Sequence, residues 1–395
     1  MFAVFLSARK AMRRLAALCT VLIVAACQPV SLGGGGGNSG QSIDPGAPVA
    51  VAMLVPHGSS SAQEAALARD LENAARLAVA DLQGVRIDLR VYGTAGQAGQ
   101  AQQAALNAAT DGAKIILGPL HAESANAVAV AMAPKNINVL AFSNNASIAG
   151  GNLFVLGQTF DNTADRLAKY AVRQGKPRIL AVHSNNLAGE LGKQAIQKAT
   201  AAAGGTLVGT VAYEFSQQGV VAAVPQIAAT ARSTNTDAIF MTANTAGALP
   251  LFSQMLPETG LDTANMQYIG LSRWDKPAQT LDLPGVQNGW FAMPDPNRSA
   301  RFSARFQEVN GNTPHAIAGL AYDGIAAIGA LAKSGQGDAL TRSGLTQSAG
   351  FQGVDGVFRL RPDGTNERGL VVASVRDKKL VILEQAPSSF GRAGF

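Results

Sequence analysis

Four histidines, at positions 57, 121, 183 and 315, are the first candidates for chemistry in this 395-residue chain. None has a partner at the spacing a metal ion demands, so each reads as a structural or exposed histidine. Nucleophiles do no better. No Gly-x-Ser-x-Gly elbow occurs, and Gly58-Ser59-Ser60 has no identifiable base. The carboxylates Asp275 and Asp282, or Asp295 and Glu308, lack the partner spacing of an acid–base pair. Gly93–Gln100 follows one strand and opens a helix, yet lacks the Gly-x-Gly of a dinucleotide loop. The reading is a chain that is not an enzyme and takes no cofactor and no metal.

What remains is the chemistry of polar turns. In AKIILGPLHAESANAVAVAMAPKNINVLAFSNNAS, residues 113–147, the apolar run Lys114–Leu117 reads as a buried strand. Small residues at helical spacing follow over Ala122–Met132, and then a second strand over Asn138–Phe142. Strand, crossover helix and parallel strand make a βαβ unit. The turns His121–Ser124 and Ser143–Ser147 both follow strand C-terminal ends, the edge at which open α/β sheets bind ligands. A helix N-terminus there offers unpaired N–H groups to an anion such as a carboxylate. The alternative, ordinary capping loops, stands beside it on the spacing alone.

The elements that must position these turns follow a regular rhythm from Val49. Strands are expected at Val49–Pro56, Val85–Tyr92, Leu153–Gly157, Arg178–His183, Leu207–Phe215, Asp237–Thr242 and Gln267–Leu271. Helices are expected at Ala62–Leu82, Gln97–Thr110, Asn162–Gln174, Gly189–Ala203, Val220–Arg232 and Ala246–Met255. This alternation means α/β architecture with parallel sheets covered on both faces. About 345 residues of it exceed one comfortable core and imply two lobes. After Pro284 the pattern changes: strand Trp290–Met293, helices Ser299–Glu308 and Ala316–Ala332, and a strand Phe351–Arg361. Two final strands, Leu370–Arg376 and Lys379–Leu383, read as a hairpin about Asp377-Lys378.

Residues 1–27 stand outside this rhythm. Arg9, Lys10, Arg13 and Arg14 form a basic n-region ahead of an apolar run, Leu15 to Ala26. That run is short for a membrane span and reads as a signal peptide. Val24-Ala25-Ala26-Cys27 resembles the bacterial lipobox, which implies acylation of Cys27, and Met12 offers an alternative start. Gln28 after the cysteine resembles outer-membrane lipoproteins. Losing the four basic residues takes Lys+Arg from 32 to 28 against 26 Asp+Glu, so the net charge falls from +6 to about +2. With few aromatics and scattered cations, no nucleic-acid partner is expected. Cys19 leaves with the signal, so the body carries no disulfide and no reactive thiol. Residues 28–48, Gly/Ser/Pro-rich, read as a flexible tether.

Four segments carry a family likeness: VAMLVPHGSSSAQEAALARDLENAARLAVADL, KIILGPLHAESANAVAVAMAPKNINVLAFSNNAS, RILAVHSNNLAGELGKQAIQKATAAAGGTLVGTVAY and FQGVDGVFRLRPDGTNERGLVVASVRDKKLV. In this order they resemble type I periplasmic solute-binding proteins of the leucine/isoleucine/valine-binding branch. The resemblance implies two doubly wound parallel-sheet lobes joined by three crossovers, near Gln158–Asp161, Pro294–Asn297 and Glu367–Leu370. Residues 49–160 with 298–368 would form one lobe, and 161–297 with 369–395 the other. It implies a periplasmic, lipid-anchored protein that closes on a small polar ligand, such as an amino acid, for an ABC permease. By position the ligand contacts would be His121, Ala122, Glu123, Ser124, Ser143, Ala146 and Ser147, with Leu187, Asn244, Ser272 and Arg273 opposite. Amino-acid binders of this family usually carry an aromatic residue where Leu187 stands and an acid where Ser272 stands. The lipobox, tether and LVP-x-G opening also resemble lipoproteins that activate penicillin-binding proteins, which implies a regulatory alternative that transports nothing.

Overall fold

The structure is a computed structural model that describes residues 40–264 and 266–390. The signal peptide, Cys27 and the tether as far as residue 39 lie outside the described residues. In order, the chain forms β1 (Val49–Val55), α1 (Ala62–Asp81), β2 (Ile87–Gly93), α2 (Ala98–Thr110), β3 (Ile115–Leu117), α3 (Ala122–Met132), β4 (Asn138–Ala141) and β5 (Leu153–Val155). Then come α4 (Phe160–Arg173), β6 (Arg178–Ser184), α5 (Leu187–Ala202), β7 (Thr206–Tyr213), α6 (Gln217–Ser233), β8 (Ala238–Met241), α7 (Leu249–Glu258), β9 (Gln267–Gly270) and β10 (Trp290–Met293). The remainder is α8 (Pro296–Asn310), α9 (Gly319–Lys333), α10 (Arg342–Leu345), β11 (Phe351–Gly353), β12 (Gly356–Leu360), β13 (Asn366–Arg368), β14 (Val371–Arg376) and β15 (Lys379–Glu384).

The first sheet is parallel throughout, in the order β2-β1-β3-β4-β5. Alternate residues of β1 serve opposite faces, as a pleat requires. Val51, Met53 and Val55 join α1 and α9 in one core; Ala52 and Leu54 join the alanines of α2 and α3 in the other. The second sheet runs β15-β14-β10-β9-β8-β6-β7. Its strands β6 to β10 pair in parallel, and β14 and β15 add an antiparallel edge. Its two faces are covered by α4 with α5 and by α6 with α7. The hairpin read from Asp377-Lys378 is the β14–β15 pair, whose turn residues both take positive φ.

A third, antiparallel sheet, β11-β12-β13, packs its Phe351, Phe358 and Leu360 into the core of the first lobe. Here the sequence misled. The single strand expected over Phe351–Arg361 is two, folded back at Val354-Asp355. Two glycines explain the fold-back. Gly356 has φ +132°, a backbone that disfavours a side chain, and a Cβ on Gly353 would lie 2.7 Å from the Asp323 carboxylate. A second departure is the tether. Its described end is docked: Ile43 is buried, its N–H donates to Gly337 O at 2.8 Å, and Gln41 Nε2 donates to Lys135 O at 2.6 Å. Burial of Ile43 and these hydrogen bonds together hold this end of the tether against the fold.

Between the sheets the chain passes at 156–159, at 294–295 and at 369–370. Asp323, on α9 and fully buried, is linked to the passages through Arg368 and the Val354-Asp355 turn. Its Oδ1 accepts from Val354 N at 2.7 Å and its Oδ2 pairs with Arg368 Nη1 at 3.4 Å. Arg368 in turn donates twice to Leu156 O, at 2.9 and 2.5 Å. Asn366 Nδ2 reaches Val155 O and Gly157 O, each at 2.8 Å. The middle passage is tied to the same turn: Asp295 N donates to Asp355 O at 3.1 Å and Ser299 Oγ to Asp355 Oδ1 at 2.6 Å.

Burial pushes the Asp323 carboxyl up to about 6, against the opposing pull of Arg368. Asp323→Ala would leave the Val354 N–H and the Arg368 guanidinium buried without their acceptor, with an expected loss of about 3 kcal/mol. The folded carboxyl titrates above the ordinary aspartate value of 3.8, so the folded chain holds the extra proton within that window. This group therefore adds stability as pH falls through it. The gap between parent and variant is expected to widen from about pH 7 to about pH 5. Denaturant melts at the two pH values check both the loss and its direction.

Candidate functional site

The C-terminal edge of the first sheet is built around Glu64. It stands in the first turn of α1, whose N-cap Ser61 accepts from Glu64 N at 3.3 Å. The Glu64 carboxylate accepts from Ser59 Oγ at 2.7 Å and pairs with His121 Nε2 at 3.0 Å. It thereby ties the loop after β1 to the loop after β3, on the two sides of the point where the strand order reverses. His121 is the N-cap of α3 by backbone conformation but makes no capping bond with its side chain. Ala122 is half-buried and Glu123 is exposed. Ser124 is 2% exposed, inside the first turn of α3, so its hydroxyl does not stand open to solvent in this conformation.

After β4, the polar cluster organises itself through Asn145. Its Oδ1 accepts from both the N–H and the Oγ of Ser147, at 2.9 and 2.8 Å, and caps a short helical turn over Ala146–Ile148. Ser143 is buried, and its Oγ accepts from Asn145 N at 3.1 Å. On that turn Ala146 is half-buried and Ser147 exposed.

On the second sheet, Asn186 caps α5 by accepting from Gly189 N at 2.8 Å, which thrusts Leu187 out at 76% exposure. Asn244 is exposed after β8. Ser272 Oγ donates to Ala243 O at 3.1 Å, so its hydroxyl serves the neighbouring strand end. Arg273 grips Asp275 with two bonds, at 2.9 and 2.6 Å. Trp274 between them is fully buried.

A cavity of about 550 Å³ brings Ala146 and Ser147 against Leu187. Its other walls are Asn144, Asn145, Phe160, Leu191 and the ion pair of Lys198 with Asp161, 3.3 Å apart. The volume suits a small molecule. One wall is a polar turn, the opposite one largely apolar. Arg273 lines a smaller cavity of about 190 Å³ beside Gln158, Asp355 and Arg368. His121, Ala122, Glu123, Ser124, Ser143, Asn244 and Ser272 line neither. Sequence reasoning missed Asn145 as the organiser of its turn, although Asn followed by Ser two residues on is a capping signal. It also missed Phe160 and Lys198, which only the packing of α4 on α5 brings to the rim. Among the described residues no group of His, Cys, Asp or Glu is arranged to hold a metal ion.

A family profile described as periplasmic binding protein matches residues 48–379. No curated protein matches the chain. Among solved structures, a provisional branched-chain amino acid ABC transporter from Rhodospirillum rubrum superposes with TM-score 0.72 at 18% identity, over 85% of this chain and 100% of its own. A branched-chain amino acid ABC transporter periplasmic ligand-binding protein from Burkholderia xenovorans gives TM-score 0.66 at 17% identity, over 86% and 96%. An ABC transporter substrate-binding protein from Desulfitobacterium hafniense, in complex with Leu, gives TM-score 0.61 at 16% identity, over 85% and 100%.

The turn after β4 gives a direct test of its own bonding. Asn145→Ala removes the acceptor of two hydrogen bonds and is expected to cost about 1 kcal/mol. Ser147→Ala keeps the backbone bond and is expected to cost less than half as much. Urea melts of the two variants check the order; equal losses would contradict it.

Proposed function

The chain belongs to the periplasmic binding protein family, and from that premise we propose that it is the solute-binding component of an ABC importer. It acts in the periplasm, anchored to the envelope, with the outer membrane favoured by Gln28, through an acylated Cys27. The two lobes close about the three chain passages on a small polar ligand such as an amino acid. The observation that carries the reading is the 550 Å³ cavity at the strand ends, walled by Ala146 and Ser147 from one lobe and Leu187 from the other. The ligand's polar group meets the Asn145–Ser147 turn, and Glu123 and Asn244, exposed at the strand ends, enter the contact set as the lobes close.

The regulatory alternative, contact with a penicillin-binding protein without transport, is favoured by one observation. Leu187 and Ser272 replace the aromatic and acidic residues usual in amino-acid binders, and the nearby Asp275 is already engaged by Arg273. An α-ammonium group would therefore find no unengaged carboxylate in the Ser272–Asp275 loop.

Ligand binding to the folded state raises stability by about 2.7 kcal/mol at a hundred times the dissociation constant. A thermal-shift screen of amino acids, small peptides and muropeptides is expected to give a raised melting temperature with at least one compound. No shift with any compound, and no ligand retained in native mass spectrometry, would favour the regulatory alternative. The anchor has a separate test. The parent is expected to incorporate labelled palmitate, and Cys27→Ala to be soluble or retained as precursor. A variant that fractionates with the envelope, from a parent that takes up no palmitate, would remove the anchor.

A further inference from the structure

The geometry points to a fourth tie between the lobes: the segment 385–390 acts as a strap that restrains their hinge motion. After β15, an edge strand of the seven-stranded sheet, the chain does not stay on that sheet. Its first residue is held on the second lobe's side, where Arg166 Nη2 of α4 donates to Gln385 O at 2.9 Å. Pro387 then lies against Gly369, in the third passage, where a Cβ would come within 3.2 Å of the proline ring. Beyond it the segment reaches the third sheet, which belongs to the core of the first lobe. Gln352 Nε2 donates to Ser388 O at 3.1 Å. The Phe390 ring, 8% exposed, lies under the Arg359 guanidinium at 4.7 Å and fills the space over Gly350, which has no side chain.

The strap therefore starts on one rigid body and ends on the other, six residues long in all. Hinge passages transmit rotation through backbone torsion, but a side chain seated in a pocket on the far body must either leave it or limit the rotation. Two carboxylates on the strap's inner side are each held by two arginines. Glu384 pairs with Arg166 and with Arg173, and Glu367 pairs with Arg359 and Arg361. A cavity of about 370 Å³ lies beneath, lined by α4, the third passage and the strap itself. This inference does not depend on which solute, if any, the cleft takes.

The test is a spin-label distance measurement across the lobes in the full chain. Cys19→Ala and Cys27→Ala remove the two native thiols. Val130→Cys on α3 and Val221→Cys on α6 place one label on each lobe at exposed sites. With the strap intact, a narrow distance distribution is expected. Phe390→Ala is expected to broaden or shift it, changing the balance of lobe arrangements by about tenfold. A distribution of unchanged position and width overturns the strap. Should circular dichroism find that variant unfolded, Gln352→Ala, at an exposed site away from the core, is read in the same way. It is expected to broaden the distribution less, and an unchanged distribution there overturns the proposal equally.

Discussion

One buried carboxylate holds the architecture together at its centre. Asp323 accepts from the turn at Val354 and pairs with Arg368, and Arg368 reaches the first passage at Leu156. The same turn, through Asp355, holds the second passage at Asp295 and Ser299. A charge without exposure is tolerated only where it is paired and hydrogen-bonded, and here those requirements pull three chain crossings to one point. The glycines of the Gly353-x-x-Gly356 turn follow from this: a side chain at Gly353 would occupy the carboxylate's place.

From that point outward the two lobes are independently cored. The parallel strands of each sheet are apolar on both faces, so they are specified by burial and their helices by the small residues that let them approach. The polar groups displaced from these cores gather at the strand ends. There Glu64 with His121, and Asn145 with Ser147, shape two loops on one lobe, while Asn186 and the Arg273–Asp275 pair shape those on the other. Local bonds thus preorganise the cleft edges, and the passages set the angle between them.

Much of this was legible in the sequence because burial leaves periodic marks. The strand Trp290–Met293 and the helix Ala122–Met132 could be read to the residue. The two lobes followed from length, and the family likeness from the order of four segments. The split of β11 from β12, and the docking of Ile43, were hidden because each depends on a residue far away in sequence, Asp323 for one and Gly337 for the other. At the site, spacing could place Ser147 and Leu187 near a strand end. It could not reveal that Ser124 is buried, that Ser272 bonds Ala243, or that Phe160 and Lys198 meet the same cavity. Those facts belong to rotamers and helix packing, which periodicity does not encode.

Closure of one lobe on the other around a bound solute is the event on which this reading turns. Small-angle X-ray scattering from the purified chain, recorded alone and with each member of a panel of amino acids and other small carboxylates, measures it directly. A smaller radius of gyration with at least one compound, reversed on dialysis, is the expected result. Scattering curves that superimpose across the whole panel would contradict closure on a small polar ligand.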